Sequence, residues 1–375
     1  MGLPIISPIL RSVLRIISFA VFALTAACCY GGYADPDFLT LPSIMVLAAP
    51  YMAILTAVIS LIWLFCGRWV TGGIGVLTIV LCWGPLQSMV PLKLSKDAKP
   101  GEETFSLLTY NIIHGVDQQS VGHQVGNRSF EYVLHSGADI VCLQEVTGFD
   151  GKSVKNWGEA WSDSLMKVYP YHAGVKGRDL QVLSKYPVKM LDTKTLVPDY
   201  SNTNRYIFCE VNVKGRILTV VNMHLMSYAL TDEERRVVTE MKSAKGVEES
   251  VDEMKGSIYG KMKVAFRQRK EDAALLREAI AKIDGPLVIC GDFNDVPGSY
   301  AYRLLKGDDL KDAYADTGLG PLVTYNQHMF WFHIDQVFYR GDLEALSVKK
   351  GKLKSSDHYP LTVEFAFTGK DDSVK

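Results

Sequence analysis

Hydrophobic and polar positions divide this chain into two parts of different rhythm. Uncharged, strongly apolar runs cover 16–34, 38–67 and 69–92, and beyond residue 92 the apolar runs shorten and alternate with charge. Each long run reaches the roughly 18–20 residues that a helix needs to cross ~30 Å of hydrocarbon. The pattern predicts three membrane-spanning helices, about 12–30, 41–66 and 69–88. A cleaved signal peptide is the competing reading of the first run, because Arg11 and Arg15 precede it and the small residues Ala26 and Ala27 close it. The two later runs anchor the chain in either case.

From 104 to 368, short β-branched runs alternate with helical patterns. SLLTYNII, DIVCLQEV, LQVLSKYPV, YIFCEVNV, ILTVVNMHL, PLVICGDF, IDQVFYR and YPLTVEF read as strands bounded by Gly, Asp, Asn or Pro. Helices read near 127–136, 154–167, 231–244, 248–282 and 299–305. This predicts one α/β domain over 104–368. Residues 1–90 form a membrane anchor, 91–103 a charged linker broken by proline and glycine, and 369–375 a tail. The charge-dense stretch 231–282 interrupts the rhythm and has two readings. One is a solvated helical excursion that packs Val264, Phe266, Ala273, Leu276 and Ile280 on the domain. The other is a lid or platform beside a site.

Charge adds orientation. Through residue 92 the charged residues are Arg11, Arg15, Asp35, Asp37 and Arg68, out of 40 basic and 41 acidic in the whole chain. Basic residues precede the first run and separate the second from the third, whereas the first loop carries only acids. The positive-inside rule therefore places the N-terminus in the cytoplasm and everything beyond residue 92 on the far side. Lys93, Lys96 and Lys99 run against this, but they begin a large domain, and such domains cross largely regardless of charge. From Gly101 onward the balance is mildly acidic, 34 basic against 38 acidic residues, which disfavours binding nucleic acid by counterion release. An aromatic content of 10% excludes a disordered chain. The seven cysteines show no paired spacing, so neither a disulfide framework nor a zinc motif follows, and they read as small buried apolar groups.

Candidate chemistry collects at strand ends. Asn111 closes TYNIIHG, Glu145 closes CLQEV, and VVNMHL carries Asn222 and His224. GDFND carries Asp292 and Asn294, IDQVFY carries Asp335, and SSDHYPL carries Asp357 and His358. Strand alternation points the Asn222/His224 and Asp292/Asn294 pairs the same way. Taken singly, each fragment reads equally as a turn or a surface position.

In this order the fragments resemble the endonuclease/exonuclease/phosphatase superfamily, most specifically in GDFND followed by SDHYPL, and most closely its membrane-anchored bacterial branch. The resemblance covers 104–368. It implies a four-layered α/β sandwich of two packed β-sheets flanked by helices, here preceded by three transmembrane helices. It also implies a site at one edge of the sandwich. Glu145 matches the principal metal ligand, with Asn111 beside it and Asp357 as a supplementary ligand. Hard oxygen donors without cysteine or clustered histidine favour Mg²⁺ or Mn²⁺ over zinc.

Asp292 matches the residue that orients or deprotonates the attacking water, and Asn294 the donor to the developing phosphorane. His358 matches the phosphate-contacting histidine, with Asp335 as its carboxylate partner. His224 with Asn222 matches an N-x-H that assists the leaving group. Arg178, Tyr110, His114, His172, Tyr325 and Asn326 are candidates to line the cleft. Gln336 and His333 depart from the pattern, standing where many relatives carry an aromatic residue and an arginine; His333 keeps a donor there for phosphate.

The functional expectation is an integral protein of the bacterial inner membrane with an extracytoplasmic, Mg²⁺-dependent phosphoesterase domain. A phosphodiesterase acting on a lipid or other diester near the bilayer leads, with no obligate protein partner. The alternatives are an extracytoplasmic metal-dependent nuclease, a phosphoinositide-type phosphomonoesterase and a non-catalytic membrane scaffold.

Overall fold

The computed structural model describes residues 7–115, 128–146, 159–174, 179–191, 206–230, 234, 250–327 and 330–369. Fourteen strands are described: β1 (Thr104–Asn111), β2 (Ile140–Gln144), β3 (Tyr171–Gly174), β4 (Leu180–Ser184), β5 (Val188–Met190), β6 (Tyr206–Val213) and β7 (Arg216–His224) come first. β8 (Leu287–Asp292), β9 (Lys311–Asp312), β10 (Tyr325–Gln327), β11 (Phe330–Phe332), β12 (Asp335–Arg340), β13 (Leu343–Lys350) and β14 (Leu361–Phe367) follow. One six-stranded sheet has the order β13-β14-β1-β2-β4-β3, a second β5-β6-β7-β8-β12-β9, and β10 and β11 form a separate hairpin. Each six-stranded sheet is mixed, with one parallel pair, β1 with β2 and β7 with β8.

Alternation along these strands explains the layering. Leu107, Ile140, Cys142 and Val182 of the first sheet meet Cys209, Val220, Val288, Cys290 and Val337 of the second in the central core. Their neighbours Leu108, Val141, Leu143 and Leu183 turn outward onto helices α6 (Arg128–His135) and α7 (Glu159–Val168), through Phe130, Val133 and Leu165. On the other side Phe208, Val221, Ile289 and Phe338 pack on α8 (Ser250–Ile280) and α9 (Tyr300–Lys306). Both faces of the central strands are thus covered, which is why they read as continuous apolar runs.

Several elements differ from the sequence pattern. The run 180–188 divides: β4 belongs to the first sheet and β5 to the second, because Pro187 cannot donate to a ladder and the chain turns there, Tyr186 N bonding Ser184 Oγ at 2.9 Å. β3, the hairpin β10–β11 and β13 were not apparent from periodicity. The linker 91–103 lies on the domain, with Lys93 N donating to Gly318 O at 2.8 Å and Lys96 N to Leu346 O at 2.7 Å. In 231–282, helix α8 packs Ala273, Leu276 and Ile280 against the second sheet, while 231–233 and 235–249 lie outside the described residues.

At the N-terminal end, Pro8–Tyr33 is long and apolar enough to cross a membrane, with a mean hydropathy of 2.0. It contains α1 (Pro8–Tyr30). The second run is a bent pair, α2 (Thr40–Val46) and α3 (Ala49–Phe65), at 63°, and the third is another, α4 (Trp69–Leu81) and α5 (Trp83–Met89), at 64°. Each bent pair meets the length and composition test only when taken together. The bends have a covalent cause, since Pro50 and Pro85 lack the N–H that would continue each ladder. The carbonyl of Leu81, four residues before Pro85, instead accepts the Tyr30 hydroxyl at 2.6 Å.

Candidate active site

The inter-sheet face ends in a polar row. Asn111 continues the face of Leu107, Gln144 that of Ile140 and Cys142, Asn222 and His224 that of Val220, Asp292 that of Val288 and Cys290, and Asp335 that of Val337. Register aligns them: Asn111 with Gln144, His224 with Asp292, and Asp335 with Asp292. Five strand ends from two sheets thus deliver six polar groups to one end of a dry core. Such groups persist there only if they are paired, because an unsatisfied buried donor or acceptor costs about 1–3 kcal/mol.

Asp292 is the hub. Its Oδ1 accepts the Asn294 backbone N–H at 2.8 Å and its Oδ2 accepts Asn111 Nδ2 at 3.0 Å. The same Oδ2 lies 3.6 Å from His224 Nε2 and 3.5 Å from His358 Nε2. Asn111 Nδ2 also donates to Glu145 Oε1 at 3.0 Å, while its oxygen accepts the Ile113 N–H at 3.1 Å. That last bond orients the amide, so Asn111 bridges the two carboxylates as a donor and its oxygen keeps one lone pair. Glu145 sits at the open edge, its side chain 25% exposed and its backbone at φ +52, a left-handed conformation that costs a non-glycine residue roughly 1–2 kcal/mol. Its carboxylate lies 3.6 Å from His114 Nε2 and 3.8 Å from His224 Nε2.

His358 and Asp335 form the buried pair of the site, with Nδ1 2.9 Å from Asp335 Oδ2. Burial opposes the charged imidazole, but the carboxylates of Asp335 and Asp292 outweigh it and raise its pKa to about 10. Burial also raises Asp335, and the imidazolium offsets part of that. Asp292, Asp335 and His358 bring three potential ligand atoms within 4.8 Å of one another. The ion pair already engages two of these groups, whereas the carboxylates of Glu145 and Asp292, joined through Asn111, offer hard oxygens of the kind a small divalent cation prefers.

Asn222 is fully enclosed: Nδ2 donates to Leu143 O and Gln181 O, both at 2.9 Å, and Oδ1 accepts Gln144 Nε2 at 2.7 Å. It therefore ties the two sheets together beneath His224. Asn294, at φ +51, donates one Nδ2 hydrogen to Leu225 O at 2.9 Å and keeps the second available. The Asp357 carboxylate accepts the Ser356 hydroxyl at 3.2 Å and adds to the negative field on His358. Tyr325 lays its ring 5.1 Å from that of His358, and Asn326 Nδ2 bonds the Tyr359 hydroxyl at 2.9 Å.

Three expected cleft residues lie elsewhere, for simple reasons. Tyr110 has the opposite parity to Asn111, so it faces α6, where its hydroxyl meets Ser129 Oγ at 3.3 Å and burial pushes its pKa up to about 12. His172 is exposed on edge strand β3, level with Leu183 in mid-sheet. His333 is 6% exposed and packs edge-on against Tyr314 at 5.3 Å, and burial lowers its pKa to about 3, which favours the neutral imidazole. Gln336 is buried, its amide bonding His333 O at 3.0 Å. Arg178 lies outside the described residues.

Gln144 and Arg269 were not foreseen. Arg269, 0% exposed, donates from Nη1 to Met226 O at 3.0 Å and Asn294 O at 2.7 Å, and its Nε lies 3.3 Å from Asp295 Oδ2. Its guanidinium also covers the rings of Tyr228 and Phe266, 4.5 and 4.8 Å from their centroids. One cation thus joins the loop after His224 to the loop after Asp292. The available signal was its place on the apolar stripe of α8, three residues after Phe266 and four before Ala273.

A model of the Endonuclease/Exonuclease/phosphatase family matches residues 124–358, and one described as a domain of unknown function matches 11–89. No curated protein matches the chain. Among solved structures, the endonuclease/exonuclease/phosphatase from Beutenbergia cavernae DSM 12333 is 18% identical over 71% of this chain and 72% of that chain, with a TM-score of 0.45. The endonuclease/exonuclease/phosphatase from Bacteroides vulgatus is 18% identical over 71% of this chain and 99% of that chain, with a TM-score of 0.45. Sphingomyelinase C from Streptomyces griseocarneus is 17% identical over 70% of this chain and 99% of that chain, with a TM-score of 0.39.

Proposed function

The chain belongs to the endonuclease/exonuclease/phosphatase family, and from that premise we propose that it is a membrane-anchored, divalent-metal-dependent phosphodiesterase. Members of this family are typically metal-dependent hydrolases of phosphoester bonds. The observation that carries the reading is the convergence on Asp292 Oδ2 of Asn111, His224 and His358, with Asn294 N–H on the other oxygen.

In this reading Asp292 orients a water and takes its proton, held in place by the Asn111 and Asn294 bonds. His358, kept protonated by Asp335, donates to a phosphoryl oxygen, and the free Nδ2 hydrogen of Asn294 donates to another. His224, positioned by Asn222 below it, hands a proton to the leaving oxygen. Glu145, at the open edge, would hold Mg²⁺ or Mn²⁺ together with Asp292. When bound, the cation supplies charge neutralisation to the phosphate and the departing oxygen. Among the described residues, imidazoles and amides stand within 4 Å of the Asp292 carboxylate, and no lysine or arginine forms an ion pair with it. That supports a singly charged diester over a doubly charged monoester.

Residues 8–89 act as the anchor, each bent pair counting as one span, with 104–368 as the catalytic domain on the extracytoplasmic side. Supporting this, the loop after α1 contacts the catalytic domain, as two segments on one side of a membrane would. The test is hydrolysis of an aryl phosphodiester by the full chain with Mg²⁺ or Mn²⁺, beside Glu145→Ala and His358→Ala. Each variant is expected to lose at least roughly 10²-fold in rate. Equal rates in all three proteins overturn the assignment.

A further inference from the structure

The N-terminal helices do not merely tether the sandwich; they pack against its catalytic end. Val296, four residues past Asp292, and Ile334, next to Asp335, share one apolar cluster with Cys29, Val46, Leu86 and Met89 from the ends of the helices. Tyr325, whose ring faces His358, packs on the same cluster. Hairpin β10–β11 then carries Trp331, 49% exposed, whose carbonyl accepts the hydroxyl of Tyr51, likewise 49% exposed, at 3.0 Å. Tyr30 and Tyr33, also exposed, lie at the end of the first helix. Tyrosine and tryptophan gathered at the ends of apolar helices mark the membrane–water interface. Trp331 belongs to the sandwich, one short strand away from the tyrosine that touches His358.

A second set of contacts restrains tilt. The Lys270 ammonium donates to Asp35 Oδ2 at 2.6 Å and Asp37 Oδ2 at 2.5 Å, and Arg267 Nη2 donates to Asp37 O at 2.7 Å. Arg303 Nη1 donates to Gly32 O at 3.1 Å. The backbones meet so closely that a Cβ on Gly32 would stand 1.8 Å from Gly298 O. The two acids of the first loop thus contact the turn of α8 that also carries Arg269.

We propose that this clamp holds the catalytic cleft at headgroup depth, where it takes its phosphoester from a lipid of the surrounding bilayer. A substrate arriving from solution would need neither the aromatic seam nor a clamp against tilt. The inference rests on the phosphodiesterase reading and keeps its balance. Water forms one P–O bond while the bond to the leaving oxygen breaks, and the water's proton passes to Asp292 as the leaving oxygen gains one from His224.

The experiment uses the full chain in nanodiscs of phosphatidylethanolamine, phosphatidylglycerol, phosphatidylcholine and sphingomyelin. Lipid products are followed by mass spectrometry, beside water-soluble short-chain analogues of the same lipids and bis-p-nitrophenyl phosphate. At least one bilayer lipid should turn over roughly tenfold or more faster than its short-chain analogue, as confinement raises effective concentration. Asp35→Asn with Asp37→Asn, and separately Lys270→Ala, should remove that advantage while leaving the aryl diester rate within about twofold. Short-chain analogues turned over as fast as bilayer lipids, or clamp variants that slow both substrates alike or neither, overturn the proposal. An aryl diester left intact by the wild type removes the phosphodiesterase reading itself, a distinguishable failure.

Discussion

Asp335 and His358 set the pH behaviour of the site. The imidazole, ordinarily near 6.5, is raised to about 10 in the folded chain. The stability this contributes is fully present below about pH 6.5 and is lost as pH rises through about 10. Activity that needs the imidazolium should share that alkaline limit. Asp335→Asn removes the carboxylate that chiefly outweighs burial, so the alkaline limb of kcat/KM should move down by about one unit or more. A limb left in place would show that another group titrates. Arg269 makes a separate prediction. Arg269→Met leaves Asp295 buried without its partner, at a cost of about 3–5 kcal/mol, and frees both catalytic loops. A sharp fall in thermal stability together with a lower kcat is expected, with Arg269→Lys restoring little, because a compact ammonium lacks the planar, spread donors that face the two carbonyls and Asp295 and stack on Tyr228 and Phe266. A kcat unchanged in Arg269→Met would mean the loops keep their geometry without it. These residues also separate what sequence makes legible from what it hides. Asn111, Glu145 and Asp292 stand out because each closes an apolar strand, and Asp335 and His358 because each stands at or just before the start of one. Tyr110 was excludable by parity alone once Asn111 was taken as inward. Gln144 and Arg269 could not be found the same way, since their roles depend on partners 78 and 25 residues distant.

At the level of elements, the β7–β8 pair depends on one glycine. Gly291 has φ +141, and a Cβ there would stand 1.9 Å from Met223 O, a backbone atom that cannot move without opening the ladder beside Asp292. Gly291→Ala should destabilise the domain by roughly 1–3 kcal/mol or more, visible as a lower Tm. An unchanged Tm would contradict the packing described. The long strands were readable because both faces are covered and their runs are continuous. The edges were not: β3 is exposed along half its length, and in β13 a bulge between Ala345 and Ser347 breaks the alternation before the strand ends on two exposed lysines. The division of 180–188 between two sheets turns on Pro187, a local signal whose consequence is set only by the tertiary fold. Pro50 and Pro85 likewise announce bends, but not that Tyr30 fills the vacated carbonyl.

Across the whole molecule, the near-neutral net charge of −1 conceals a division of labour. The N-terminal apolar runs hold few charges, and their two acids contact α8, whereas Glu145, Asp292 and Asp335 gather at one end of the sandwich core. No local pattern joins 31–39 to 267–303, so this seam was invisible to a reading along the chain. The account as a whole stands on Asp292 as the group that activates water. Its most direct test is the initial rate of aryl phosphodiester hydrolysis by the full chain in nanodiscs with Mg²⁺, wild type against Asp292→Asn. That substitution removes the charge and keeps the shape. The account predicts a loss of roughly 10²–10⁴-fold with folding and membrane insertion retained. A variant as fast as the wild type would contradict it.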